Sequence, residues 1–175
     1  MFWYAIKRFF AGAAIGALLG GCGSGADENP VPPGSSIRVN PTEVTWNITP
    51  ITDVNGNPIC VNGIYNDHTF TISVLNSAGQ PLGDVPLSIR LDLAANTSNT
   101  DLMRLYDDVN GNGVVDHPQE LVSGAGSAFF ATTARYTGEK IVIVRVNTSC
   151  TYGGDLTVIA GPAFGSAHVE VKERQ

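Results

Sequence analysis

The chain has 175 residues, 43% of them hydrophobic, and its 10 basic and 16 acidic side chains leave a formal charge of −6. That balance argues against nucleic acid as a partner and against electrostatic binding to anionic lipid, and it suits an exported protein that meets divalent cations. With no CxxC motif and no Cys/His cluster, zinc and dithiol redox chemistry are also excluded.

Residues 1–22, MFWYAIKRFFAGAAIGALLGGC, place Lys7 and Arg8 ahead of thirteen residues (9–21) without a charged or polar side chain. This is the pattern of a secretory signal segment with small residues at its cleavage point. Leu19-Gly20-Gly21-Cys22 resembles the lipobox of bacterial lipoproteins, and the resemblance implies that Cys22 is acylated and becomes the new N-terminus. The alternative is an uncleaved membrane helix, but thirteen residues rise only about 20 Å against a hydrocarbon core of ~30 Å. Gly23 stands where an inner-membrane retention signal would place Asp, which by the same analogy implies the outer membrane, facing either the periplasm or the cell surface. Cleavage leaves residues 22–175 with eight basic and sixteen acidic side chains, a charge of −8. That length is one domain plus a tether.

The tether is 22–35, where GSGADENPVPPGS offers almost nothing to bury and reads as a flexible-to-extended spacer. The domain is 36–175. Short apolar-alternating runs recur there between turn clusters, with no sustained helical period. Strands are expected at 36–40, 43–48, 69–75, 85–93, 102–106, 127–135, 140–147, 155–159 and 167–171. In TFTISVL, Phe70, Ile72 and Val74 share one face; in KIVIVRV both faces are largely apolar, as in a central strand. The expected fold is all-β, an Ig-like Greek-key β-sandwich of seven to nine strands.

The segment 68–93, HTFTISVLNSAGQPLGDVPLSIRLDL, carries a turn at Gly79-Gln80-Pro81 and a strand entry at Gly83-Asp84-Val85-Pro86. With GAGSAFFATTARYTGEKIVIVRV at 124–146, it resembles the bacterial Ig-like repeats of the Big-1 (invasin and intimin) type. The resemblance spans about 36–172 and implies adhesion or a scaffolding role in a surface appendage or secretion apparatus. Two stretches depart from the minimal repeat: 49–66, which carries Cys60, and an acidic insertion at 96–120. Sandwich loops supply specificity, so these are where function is expected.

Cys60 and Cys150 are the two cysteines beyond Cys22. In an oxidising compartment an even pair is most simply a disulfide, with two free buried thiols as the alternative. In the simple Ig order, however, the segment before the second strand and the loop after the valine-rich strand would lie at opposite ends of the sandwich, which obstructs the bridge unless 49–66 runs back along the sheet.

The pentapeptide DVNGN occurs twice, at 53–57 and at 108–112. Counted from Asp108, the second copy places oxygen side chains at Asp108, Asn110, Asn112 and Asp116, positions 1, 3, 5 and 9 of a calcium loop, with Gly113 at position 6 and the Val114 carbonyl at position 7. That is the oxygen-only donor set a hard cation takes. Gln119 stands at position 12 and Glu120 one further on, so which of the two completes the site is open. The alternative is a solvated hairpin turn that binds nothing. The first copy continues into Pro58 and lacks the ninth-position acid, so it reads as a turn with Asx-type hydrogen bonds.

His68, His117 and His168 are scattered, and Gly124-Ala125-Gly126-Ser127 lacks the context of a nucleophile elbow, so no catalytic residue is assigned. Tyr152, in SCTYGGD, is the tyrosine expected to be exposed, and the N-x-S/T triplets at Asn47, Asn96 and Asn147 carry little information. The sequence therefore points to a lipid-anchored, non-enzymatic module of the bacterial cell envelope with a structural Ca²⁺ loop, held to the membrane through Cys22 and facing other envelope proteins. Its alternatives are a Ca²⁺-dependent carbohydrate- or ligand-binding module and a small hydrolase.

Overall fold

A computed structural model of the protein describes residues 31–94, 101–116, 118–124, 126 and 128–175. The signal segment 1–21, Cys22, most of the tether, Asn96 and His117 lie outside the described residues.

Ten strands follow one another: β1 (Ser36–Asn40), β2 (Glu43–Ile48), β3 (Tyr65–Leu75), β4 (Pro86–Leu93), β5 (Met103–Asp107), β6 (Leu121–Gly124), β7 (Ala128–Thr132), β8 (Glu139–Asn147), β9 (Tyr152–Ala160) and β10 (Ala163–Glu173). They form two five-stranded sheets, ordered β1-β3-β8-β5-β6 and β2-β10-β9-β4-β7. All pairings are antiparallel except β2 with β10. The β1-β3-β8-β5 layer against β4, β9 and β10 is the strand arrangement of an Ig-like sandwich. The strand beyond the seven to nine expected is β6, which pairs with β5 to close the acidic loop into a hairpin.

Period-two alternation builds the core. Phe70, Ile72 and Val74 of β3 and Val142, Val144 and Val146 of β8 meet Leu87, Ile89 and Leu91 of β4, Leu156 and Val158 of β9, and Val169 and Val171 of β10, all buried. β8 is the third strand of its sheet, and it also buries Ile143 on the outward face. Ile143 lies in register between Thr69 and Tyr106, and Tyr106 is buried too. The Thr69 hydroxyl donates to the Gly113 carbonyl at 3.5 Å, so the acidic loop lies over this face and covers what the sheet would otherwise expose. The double-sided apolar texture of KIVIVRV has this cause.

The strand-entry motif at 83–86 has a steric one. A Cβ at Gly83 would sit 2.0 Å from the Arg135 carbonyl oxygen, so only glycine lets the chain pass. Buried Thr133 then ties the segment down: its hydroxyl donates to the Leu82 carbonyl at 2.9 Å and accepts from the Val85 N–H at 3.0 Å.

Cys60 and Cys150 are joined by a disulfide, with Cα atoms 5.0 Å apart. The expected obstacle of opposite ends is corrected by the register. Antiparallel pairing sets Tyr65, the first residue of β3, beside Asn147, the last of β8, so the insertion and the β8–β9 turn share one end. Ile51 N–H donates to the Ser149 carbonyl, and Thr148 N–H to that of Ile64. Tyr152 also corrects the sequence reading. It is 9% exposed, and its hydroxyl, 2.7 Å from the Leu102 carbonyl and 2.8 Å from that of Asn147, clamps the turn from inside. Burial pushes its pKa up, opposed by the Asn147 hydrogen bond. Among the described residues the exposed tyrosine is Tyr136, in the β7–β8 turn.

Candidate functional site

The acidic loop leaves β5 at Asp107, turns through 108–116 and returns by a short 3-10 turn at Pro118–Glu120 into β6. Lys140 of β8 forms an ion pair with Asp107 that is mostly shielded from water, fixing the point of departure. Asp108, 5% exposed, organises the bend: its two carboxylate oxygens accept from the Asn112 N–H at 3.1 Å and the Gly113 N–H at 2.8 Å. Gly113 adopts φ +74°, which brings its N–H inward at no side-chain cost.

The remaining side chains of the set converge on Asp116. Asn110 Nδ2 donates to Asp116 Oδ1 at 3.0 Å, and Asn112 Nδ2 to Asp116 Oδ2 at 2.7 Å. The amide oxygens of Asn110 and Asn112 accept from the backbone N–H groups of Asn112 and Val114. Glu120 is fully buried, and its Oε2 accepts from the Asp116 N–H at 3.0 Å. Asp108, Asn110, Asn112 and Asp116 are thus brought together with Glu120 behind Asp116, whereas the Val114 side chain points to solvent. By donor chemistry this set fits a hard cation. In the arrangement shown, two amide-to-carboxylate hydrogen bonds close the loop, and coordination would replace them. Among the described residues, no group of three or more His, Cys, Asp or Glu side chains is close enough to hold a metal. Any cation site here therefore draws on the asparagines.

The first copy of the pentapeptide is a surface turn. Asp53 Oδ1 accepts from the Asn55 and Asn57 N–H groups at 2.8 and 2.9 Å, and an isolated bridge joins Thr52 to Pro58. The Asn57 N–H above all, then the Asn57 side chain and the Asn55 N–H, holds the Asp53 carboxyl below its ordinary pKa.

The described histidines are apart. His68 is wedged edge-on between Trp46 and Phe70, with ring centroids at 6.0 and 5.4 Å, and burial lowers its pKa. His168 of β10 faces Asp155 of β9 across the ladder, Nδ1 to Oδ1 2.8 Å, on an exposed surface. On the outer face of the β3-β8-β5 layer, Arg145 lies 5.0 Å over the Tyr106 ring and pairs with both Asp67 oxygens at 2.6 and 2.7 Å, which raises its pKa.

Sequence reasoning missed the anchor of the Cys60 insertion. Asn147 accepts the Ser149 N–H and hydroxyl and donates to the Val61 carbonyl, and the Ser149 hydroxyl in turn accepts from the Val61 N–H. The signal was the N-x-S triplet itself: Asn147 and Ser149, just ahead of Cys150, are residue types that form compact side-chain-to-backbone turns.

No family model matches the sequence, and no curated protein does. Shape comparison finds two-sheet domains at low identity. A conjugative transposon lipoprotein from Bacteroides eggerthii is 7% identical, with a TM-score of 0.41 over 79% of this chain and 98% of that one. The ASH/PapD-like domain of human CEP192 is 10% identical, with a TM-score of 0.38 over 82% and 89%. The enterotoxigenic E. coli CFA/I adhesin CfaE is 11% identical, with a TM-score of 0.39 over 81% of this chain and 49% of its own. At such scores no function is transferred, and the functional reading rests on this chain's own residues.

Proposed function

We propose that the protein is a lipid-anchored, non-enzymatic module of the bacterial cell envelope, an accessory or adhesive subunit that meets other envelope proteins through its loops. The observation that carries this reading is the Cys60–Cys150 disulfide in a chain that opens with a lipobox-like segment. A bond of that kind persists in oxidising compartments. The motif resemblance to Big-1 repeats supports the same reading, as does the outer-membrane analogy drawn from Gly23. The direct test is recovery of the acylated protein from its native membrane after crosslinking: co-purifying envelope proteins support the reading, and a soluble, unacylated protein overturns it.

The acidic loop is the proposed Ca²⁺ site, with Asp108, Asn110, Asn112 and Asp116 as side-chain ligands, the Val114 carbonyl as a backbone ligand and Glu120 buttressing or joining them. A bound cation would neutralise the facing carboxylates and lock the loop onto Thr69 and Ile143. Exported modules of this charge bind with Kd of about 10⁻⁴ to 10⁻³ M, so 10 mM Ca²⁺ is expected to stabilise the fold by about 1.4 to 2.7 kcal/mol. Thermal melts with Ca²⁺ and with chelator read this shift, and Asp108→Asn with Asp116→Asn abolishes it. Identical melts overturn the site.

A second reading, a Ca²⁺-dependent carbohydrate- or ligand-binding module, is favoured by one feature. An open groove beside the loop sets the charges of Asp84, Asp108, Arg135 and Glu139 and the Asn110 amide beside the apolar Val109 and Ile141, a mixture of polar groups and apolar surface that suits a sugar ring. Glycan binding lost on chelation separates it from the first reading.

A further inference from the structure

The outward face of the β2-β10-β9-β4-β7 sheet is graded. Its row nearest the β9–β10 turn runs Phe164, Ile159, Ser88, Phe130 across four strands in register. The three hydrophobic members are 62%, 46% and 82% exposed. The next row is Ser166, Thr157, Arg90 and Ala128, and the row after it brings His168, Asp155 and Asp92. Apolar character thus sits at one end of the face, and the acids sit farther down.

The same end is where the described chain begins. Val31 is buried against Gly161 of the β9–β10 turn, close enough that a Cβ at 161 would come within 3.2 Å of the Val31 Cβ. Gly161 lies between Ile159 and Phe164 in the hairpin. Eight residues separate Val31 from Cys22, a reach of no more than about 30 Å fully extended.

We infer that the Phe130, Ile159 and Phe164 row rests on the bilayer, so that the outward face of the β2-β10-β9-β4-β7 sheet meets the membrane at its β9–β10 end, while the acidic loop, seated on the outer face of the other sheet, and the disulfide-bonded end point away from lipid. The inference rests on the reading of Cys22 as an acylated anchor. A tether this short holds the row at high effective concentration against lipid, and aromatic and aliphatic side chains gain by leaving water at the interface. The occupant is lipid in preference to a second copy: two chains at −8 each repel, whereas the first row carries no charge to oppose a zwitterionic surface.

The test uses the full acylated protein in phosphatidylcholine vesicles containing a nitroxide-bearing lipid. With Cys60 and Cys150 bonded and Cys22 acylated, Ser166→Cys supplies one free thiol beside the row for an environment-sensitive fluorophore. Val54→Cys supplies the control at the far end, where Val54 is fully exposed. Lipid quenching at 166 is expected to exceed that at 54 at least threefold, and to fall to the control level in Phe164→Glu, Ile159→Glu protein that still floats with the vesicles and melts normally. Equal quenching at the two sites in protein that floats overturns the inference and leaves the anchor standing. A label shielded without lipid, together with a doubled mass, assigns the row to a second copy and also overturns it. Protein that does not float removes the anchor and the inference together.

Discussion

The chain uses DVNGN twice, and the two copies share their local chemistry while differing in everything that surrounds it. In both, the aspartate gathers backbone N–H groups from the residues ahead of it, and the glycine adopts positive φ, +83° at Gly56 and +70° at Gly111. The divergence begins at the next residue. Pro58 has no N–H to donate, so the first copy ends its turn there and leaves Asp53 at the surface. Gly113 donates to Asp108 and lets the loop curl back over Thr69. Five residues specify a turn; the sixth decides whether it closes on itself or folds over the sheet and gathers carboxylates.

The largest expected effect isolates the first copy. Cys60 lies three residues after Asn57, and its bond to Cys150 closes a span of 90 residues, worth about 4 to 5 kcal/mol in the chain-entropy account. Replacing both cysteines with alanine is expected to lower denaturant stability by that order. It should also raise amide exchange across 51–64 while exchange across 108–116 keeps its wild-type pattern. A uniform rise over both loops would show that the two copies are not separate units.

The sixth position is tested next. Gly113→Ala forces a side chain into φ +74° and 3.4 Å from the Thr69 hydroxyl, at a cost of about 1 to 2 kcal/mol, and it is expected to remove the Ca²⁺-dependent part of the melt. The converse change, Pro58→Gly, loosens only the unfolded-state restraint and costs about 0.4 to 1 kcal/mol, without creating a Ca²⁺ response. Gly56→Ala and Gly111→Ala form the smaller matched pair. Neither added Cβ meets an atom within 4 Å, so each carries backbone strain alone, about 1 kcal/mol, and their equality in urea melts is the check.

Much of this was legible in residue order. Alternation in TFTISVL placed Phe70, Ile72 and Val74 on the core face because a strand under one covering layer has no other way to hide them. KIVIVRV likewise named the central strand, although the acidic loop that buries Ile143 on its outer face is remote in the chain and enters no pattern a local window can detect. The loop's oxygen set was readable from spacing, whereas the hydrogen bonds that close Asn110 and Asn112 onto Asp116 depend on three-dimensional closure. Tyr152 was misread for the same reason: glycines beside it signalled a loop, but its ring turns into the sandwich, where the hydroxyl lies within hydrogen-bond reach of the Leu102 and Asn147 carbonyls. Strand ends shifted wherever a partner continued the ladder, as when β10 began at Ala163 because β9 ran on to Ala160.

The smallest expected effect concerns acid. Asp53 has its carboxyl pKa held below the ordinary 3.8 by hydrogen bonds from Asn57 and Asn55. A carboxyl whose folded pKa is depressed contributes stability that is full above its unfolded pKa and is lost as pH falls through the folded value. The window is therefore below pH 4, where the unfolded chain takes up the proton before the folded one does. Asp53→Asn removes that contribution while retaining a side-chain oxygen to accept from the Asn55 and Asn57 N–H groups. Urea midpoints of the two proteins are expected to differ by a small margin at pH 6 and to converge as the pH is lowered from 4 toward 2. If the gap stays constant across that range, the turn at 53–57 is held by its backbone alone, and the charge on its aspartate is incidental to it.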